Sequence, residues 1–307
     1  MQVRHAFAAI AVAATAALFA TACSASSAGT RPGVVRAVGA ENEYANVISQ
    51  IGGKYVAVSA IESNPNTDPH SFEASPAVAR EVAGAQLIVQ NGIGYDTYMN
   101  KIESSSPGSG RKVIDVQDLL GLPDSTPNPH LWYSPKTMPA VAKAIADDLS
   151  KLSPGHAAYF RANVTKFDKS LQPWLTAIAQ FKAAYSGMPV AVTEPVGDYM
   201  LQAAGTDIKT PFGLQADIMN GVDLSPQYVS LQDSLFAQHK VKVFVYNQQV
   251  TDSLTKSFLA EANRYGIPVV GVYETMPTPG YNYQSWMVAE VNALRKAVAS
   301  KVSTEKL

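Results

Sequence analysis

Cysteine, charge and basic residues are all scarce in this sequence. Its 307 residues include a single cysteine, so no disulfide can form within the chain. Charged residues make up 16% of the sequence and the formal net charge is −1. This balance provides neither the basic surface of a nucleic-acid-binding protein nor an acidic tail, and we expect no nucleic-acid partner. With five histidines in the chain, any imidazole cluster must come from very few positions.

The first residues have the pattern of a secretory signal. Arg4 precedes an apolar run at 6–20, which is too short for a good membrane span, and small residues follow it. Cys23 comes next, before a polar, flexible stretch. This order resembles a bacterial lipoprotein box, although Ala20 stands where the box usually has leucine. We therefore expect a signal peptide at 1–22, a lipidated Cys23 and a lipid-anchored tether at 23–33. Plain secretion with cleavage after Ala22 is the alternative.

A long amphipathic segment in the middle of the chain predicts a helix at 154–187. Ser153 and Pro154 suit its start, and Gly187 suits its end. At this length the helix would measure roughly 45–50 Å, more than the width of a small domain. Pro173 lies inside it and predicts a kink or a division into two helices. Eight apolar residues recur at steps of three and four and share one helix face: Phe160, Val164, Phe167, Leu171, Trp174, Ile178, Phe181 and Tyr185.

Short strands alternate with helices on both sides of this segment, and such alternation predicts mostly parallel sheets. We therefore expect an α/β fold with two lobes, at 34–153 and 188–307, joined by the long linking helix. The two halves repeat an architecture and not a sequence. One continuous domain with an ordinary core helix is the alternative. The predicted strands are 34–40, 55–61, 85–90 and 113–116 in the first half and 189–193, 241–246 and 267–273 in the second.

Ligand-type side chains follow several of these strands. His70 comes after the second predicted strand and His130 after the fourth, while Glu194 and Glu274 directly follow strands of the second half. Because ligand sites of open α/β sheets lie at the carboxyl ends of strands, we expect the four side chains to converge. Four nitrogen and oxygen donors suit a first-row divalent metal. Each has an ordinary alternative: a loop histidine is usually a surface residue, and Glu194 could cap the next helix.

The layout resembles the solute-binding lipoproteins of zinc and manganese ABC transporters. The resemblance covers nearly the whole mature chain and is most specific in the linking helix and in two motifs, Asp68-Pro69-His70 and Asn128-Pro129-His130-Leu131-Trp132. It implies a rigid linking helix and one metal held between two α/β lobes. It also implies delivery of the metal to a membrane permease powered by a separate ATPase. The protein would be an extracytoplasmic monomer anchored to the cell membrane by its lipid.

The resemblance also suggests roles for single residues. His70 and His130 match the two histidines of the family's N-terminal lobe. Glu194 matches the third ligand, which is histidine in zinc scavengers and often glutamate in manganese binders. Glu274 falls where the family usually has aspartate, so its longer side chain must fold back to reach the same point. Two carboxylates favour Mn²⁺ over Zn²⁺, as does the loop 123–127, which lacks the histidine-rich insert of many zinc scavengers.

Two other functions remain open at this point. A siderophore- or corrinoid-binding protein of similar architecture would need aromatic residues in its cleft, and four are available: Trp132, Tyr133, Tyr199 and Tyr246. A metal-dependent hydrolase could use His70, His130 and Glu194 with a metal-bound water. A fourth available ligand argues against an enzyme, because catalytic sites keep a coordination position open. We further expect affinity to fall as pH drops through roughly 6.5 and release to proceed by local loop opening.

Overall fold

The computed structural model describes residues 33–307. The predicted signal peptide and Cys23 lie outside the described residues. Within 33–307, no helix has both the length and the apolar character needed to cross a membrane.

The N-terminal half builds a four-stranded parallel sheet in the order β2-β1-β3-β4. Its strands are β1 Val35–Glu41, β2 Val56–Glu62, β3 Leu87–Gln90 and β4 Lys112–Asp115. The helices of this half are α1 Asn42–Gly52, α2 Pro76–Gly84, α3 Thr97–Ser105, α4 Val116–Leu119 and α5 Thr137–Leu152. All four predicted strands are present, whereas the sequence pattern had not indicated α3 or α4.

The linking segment forms two helices and not one. A short 3-10 turn, Pro154–His156, leads into α6 Ala157–Ser170, and α7 Gln172–Tyr185 follows after Leu171. Pro173 stands at the start of α7, where its missing N–H leaves no helical hydrogen bond unmade. The predicted division at this proline is therefore confirmed. Ser153 precedes the segment, but its side chain caps no N–H group of the described chain.

The C-terminal half repeats the arrangement with a parallel sheet in the order β6-β5-β7-β8. Its strands are β5 Pro189–Val192, β6 Asp207–Ile208, β7 Val243–Asn247 and β8 Val269–Val272. The helices are α8 Asp198–Ala203, α9 Phe212–Met219, α10 Pro226–Ala237, α11 Ser253–Arg264 and α12 Tyr283–Ser300. The sequence pattern had not indicated β6 or α9. The two-lobed α/β fold is thus confirmed.

Each linking helix packs on a different lobe. Helix α6 contacts α1 and α5, while α7 contacts α8 and α12. Six residues of the predicted apolar face are buried, and Val164 and Tyr185 are partly buried. A single hydrophobic core includes residues of both sheets and both linking helices. Because close-packed interiors resist deformation, this shared core opposes a wide hinge motion between the lobes.

Trp174 joins α7 to the C-terminal lobe, and its removal is expected to destabilise the fold. The side chain is fully buried, with its ring edge-to-face against Tyr283 at 5.9 Å between centroids. Trp174→Ala should lower the free energy of unfolding by about 3–5 kcal/mol, because it leaves a large cavity. Urea denaturation measures this loss. Gln180→Ala, on the exposed face of the same helix, should change stability by less than about 0.5 kcal/mol. Equal losses in both variants would contradict this role.

Candidate metal centre

The four predicted ligands all lie at the carboxyl ends of the two sheets. His70 sits in a 3-10 turn after β2, and His130 immediately precedes another such turn. Glu194 and Glu274 each come two residues after the end of a strand, β5 and β8. His130, Glu194 and Glu274 are buried, while the side chain of His70 is 25% exposed. The histidines come from one lobe and the carboxylates from the other.

Glu274 stands at the centre of this group. Its Oε2 lies 3.1 Å from Nε2 of His70 and 3.1 Å from Nε2 of His130. One donor atom from each of the three residues falls within 4.8 Å of the others. The glutamate that stands where the family usually has aspartate is therefore the residue that contacts both histidines.

Glu194 lies one amide group away from this cluster. The Asn247 side-chain Nδ2 donates a short hydrogen bond to Oε2 of Glu194 and another, of 2.8 Å, to Oε1 of Glu274. The remaining Oε1 of Glu194 is buried and has no hydrogen-bond partner within 33–307. Asn247 thus couples the two carboxylates. Sequence reasoning missed it, although it ends β7 at the same sheet edge and the strand-end rule would have included it.

Neighbouring side chains orient both histidines. The Asn128 side-chain oxygen accepts from the backbone N–H of His130 at 3.0 Å and lies 2.8 Å from its Nδ1. Asn128 donates from its Nδ2 to the backbone oxygen of Pro195, so its Oδ1 is the atom that faces His130. Oδ1 can only accept, and Nδ1 of His130 therefore carries the proton. This tautomer leaves Nε2 of His130 with a free lone pair directed at Glu274. Asp68 similarly accepts from the backbone N–H of His70 at 2.8 Å.

Tyr95 is a further site residue that the sequence did not indicate. Its hydroxyl donates to Oε2 of Glu274 at 2.9 Å. Its ring lies edge-to-face with His70 and His130, at centroid distances of 5.4 and 5.8 Å. Tyr95 belongs to a loop without a periodic pattern, so no local signal could have connected it to a residue 179 positions later in the chain.

Burial and the negative charge of Glu274 together shift the pKa values of the residues in this group. Burial alone would lower the pKa of His70, but its hydrogen bond to Glu274 and the carboxylate charges raise it to about 9. Burial lowers the pKa of His130. Burial opposes ionisation of Glu274, yet its contacts with His130 and His70 hold its pKa below the usual range. Burial, followed by repulsion from Glu274, raises the pKa of Glu194 well above the usual range. Without metal, the neutral-pH centre therefore pairs a cationic His70 with an anionic Glu274.

The four aromatic residues considered for a large organic ligand have structural roles. Trp132, Tyr133 and Tyr246 are buried in the hydrophobic cores. The Tyr199 hydroxyl donates to the backbone oxygen of Asn128 at 2.9 Å. These contacts account for the aromatic residues as packing and support for the histidine loop.

The sequence matches a family model described as "ZnuA: Zinc-uptake complex component A periplasmic" over residues 38–297. The zinc-binding protein TroA of Treponema pallidum is 28% identical over 159 residues, 49% of this chain and 50% of TroA. The manganese-binding lipoprotein MntA of Bacillus subtilis is 26% identical over 159 residues, 50% of this chain and 52% of MntA. The chain thus spans about half the length of these relatives. FimA of Streptococcus parasanguinis, a metal ABC transporter substrate-binding lipoprotein, is 22% identical over 79% of this chain and 81% of FimA.

Solved structures share the fold over most of their length. TroA of Treponema pallidum superposes with a TM-score of 0.70 at 20% identity, covering 84% of this chain and 99% of TroA. A structure of ZnuA gives a TM-score of 0.70 at 19% identity, covering 87% of this chain and 100% of ZnuA. A manganese-bound periplasmic protein from Candidatus Liberibacter asiaticus gives 0.67 at 20% identity, covering 86% and 99%. Since the family model spans both sheets, both linking helices and all four predicted ligands, this chain belongs to the ZnuA family of periplasmic zinc-uptake complex components.

Proposed function

We propose that this protein is the extracytoplasmic metal-binding component of an ABC importer. It captures a divalent transition metal between its lobes and delivers it to a membrane permease that a separate ATPase powers. The observation that carries this proposal is the contact of two imidazole nitrogens from one lobe with one carboxylate oxygen from the other. Family membership supports the same function.

The distances in the centre are compatible with ligands that share one ion. Consider two donor atoms that each lie about 2.1 Å from a common metal. If the donor–metal–donor angle is between the octahedral and the tetrahedral value, the two donors lie about 3.0–3.4 Å apart. Both histidine–glutamate separations are 3.1 Å. Moreover, a neutral His130 directs a lone pair at an ionised carboxylate, and a cation between these two acceptors removes their repulsion. The chemistry of the contact therefore favours a bound cation.

We propose His70, His130 and Glu274 as metal ligands, with Glu194 as the fourth. Glu194 would approach the ion after its hydrogen bond with Asn247 has changed, and its unpartnered oxygen supports that movement. Two histidines with two carboxylates favour Mn²⁺, and Zn²⁺ is the next choice. Relatives of both kinds, a zinc-binding and a manganese-binding protein, resemble this chain to a similar degree.

In this proposal the lobes at 34–153 and 188–307 lie on either side of the metal and keep a fixed relative orientation, because the segment 154–187 joins them. The protein acts as a monomer, and the lipid on Cys23 holds it at the membrane close to the permease. The family and the names of the relatives support transport and not catalysis. Direct contact of fully buried His130 and Glu274 also disfavours a siderophore or corrinoid, since such a ligand needs open space between the lobes.

Metal analysis and titration test the proposed function. Protein purified without chelator is expected to carry one Mn²⁺ or Zn²⁺ per chain. After metal removal, His70→Ala should weaken binding by more than about 100-fold, because losing a ligand costs more than the 10–100-fold loss typical of outer-shell partners. His239→Ala, at an exposed histidine outside the centre, is the matched control and should bind normally. Equal affinity of wild type and His70→Ala would refute the assignment.

A further inference from the structure

The side chain of Gln249 uses its amide to join three segments around the metal centre. Gln249 lies two residues after the end of β7 and is 6% exposed. Its Oε1 accepts from the backbone N–H groups of Glu274 and Thr275 at 2.7 and 2.8 Å. Its Nε2 donates to the backbone oxygen of Thr67 at 2.8 Å and to Oγ1 of Thr275 at 3.1 Å. Both polar atoms of the amide are thus fully used.

The amide oxygen of Gln249 fixes the backbone that carries Glu274. By binding the N–H groups of Glu274 and its neighbour, Gln249 sets the path of the backbone that carries Glu274. The backbone N–H of Gln249 also donates to Oδ1 of Asn247 at 3.0 Å. That bond turns the Asn247 amide so that its Nδ2 faces Glu194 and Glu274. Gln249 therefore acts on both carboxylates without touching either carboxyl group.

The amide nitrogen of Gln249 forms a hydrogen bond to the N-terminal lobe. Thr67 belongs to the loop 63–75, which carries His70 between β2 and α2. Among hydrogen bonds of residues 33–307, the Gln249–Thr67 bond is the one that ties this loop to the C-terminal lobe, apart from the His70–Glu274 contact. If the latter contact is replaced by metal coordination, the Gln249 bond is the remaining direct hydrogen bond between loop and lobe.

Elsewhere the lobes are joined by several buried hydrogen bonds. Asn42 exchanges two with the backbone of Met276, at 2.9 and 3.0 Å. Tyr133 and Tyr283 donate across the interface to the backbone oxygens of Tyr273 and Trp132, at 2.8 and 2.7 Å. Local opening is easiest where such bonds are few and the backbone is exposed. The His70 loop meets both conditions, whereas the rest of the interface does not.

We propose that Gln249 is a positioning residue that keeps the His70 loop closed over Glu274 and thereby sets how fast the metal leaves. The proposal rests on the function proposed above. Losing the bond to Thr67 raises the population of the open loop, so the ion dissociates more often. Losing the two acceptor bonds lets the Glu274 backbone shift, which weakens the held ion further. Both changes speed dissociation without removing a ligand.

Stopped-flow dissociation tests this role. Gln249→Met keeps the length of the side chain and removes both halves of the amide. Metal-loaded Gln249→Met, mixed with excess chelator, is expected to release Mn²⁺ or Zn²⁺ about tenfold faster than wild type, within the range of outer-shell substitutions. Gln215→Met is the matched control, because Gln215 is a buried glutamine of the same lobe that donates to Thr210 and is not in contact with the centre. Its release rate should equal that of wild type.

Hydrogen exchange separates positioning from a general loss of structure. In metal-free Gln249→Met, the amides of the loop 63–75 should exchange faster, while the amides of β7 and β8 keep their wild-type protection. An unchanged release rate, or faster exchange spread over the whole C-terminal sheet, would overturn the proposal. A failure of the proposed function looks different: wild type itself would not bind either metal. If wild type binds and Gln249→Met releases at the wild-type rate, only the positioning role is lost.

Discussion

Glu274→Gln is expected to lower the affinity for Mn²⁺ and Zn²⁺ by at least about 1,000-fold. Two unit charges 4 Å apart attract by about 4 kcal/mol at an effective dielectric constant of 20. That energy corresponds to about three orders of magnitude in affinity, and a coordinated dication lies closer than 4 Å. Glutamine preserves the volume of the side chain and can still contact Tyr95 and Asn247, so the loss comes mainly from the charge. Competition titration of metal-free protein measures the effect.

Glu290→Gln is the matched control for this substitution. Glu290 is also a fully buried glutamate of the C-terminal lobe, but it accepts hydrogen bonds from Trp286 and Tyr133 and does not contact the centre. The affinity of Glu290→Gln for metal should equal that of the wild type. Thermal denaturation provides a second readout, because metal at 100 times its Kd stabilises a binding protein by about 2.7 kcal/mol. Glu274→Gln should lose this metal-dependent shift and still unfold cooperatively. A full thermal shift in Glu274→Gln would remove Glu274 from the ligand set.

Metal affinity is expected to rise by at least about tenfold per pH unit from roughly pH 6.5 towards 9. The ion needs the lone pair of His70, and without metal His70 is protonated below its pKa of about 9. Each bound ion therefore displaces at least one proton at pH 7. Since burial lowers the pKa of His130, that residue contributes little to the number of protons displaced by the metal. The dependence thus extends well above the value near 6.5 expected from an unperturbed histidine.

Calorimetry in two buffers of different ionisation enthalpy counts the released protons. Glu194→Gln should release fewer than wild type, because burial and the charge of Glu274 raise the pKa of Glu194 and keep a proton on it until metal binds. The stability of metal-free protein should show the opposite trend. A raised His70 pKa stabilises the fold below pH 6.5, and this contribution is lost as pH rises through about 9. An affinity that does not change between pH 6.5 and 9 would contradict the assignment of His70.

Much of the architecture could be predicted from local sequence patterns. The alternation of short strands with helices indicated two parallel sheets, because strand and helix periods follow from backbone geometry alone. The apolar face of the linking segment and the division at Pro173 followed from the same geometry. The rule that ligands gather at strand ends selected His70, His130, Glu194 and Glu274, since it depends on topology and not on side-chain detail. The lipid anchor at Cys23 stays a prediction.

Only the tertiary structure decided how those side chains meet. It made Glu274 the residue that contacts both histidines and placed the amide of Asn247 between Glu194 and Glu274. It also brought Tyr95 and Gln249 to the same point from distant loops. Periodicity describes one element at a time, whereas a ligand distance depends on how two lobes pack. A shift of 1 Å between the lobes would leave every sequence pattern unchanged and yet alter the distances that bring His70, His130 and Glu274 together.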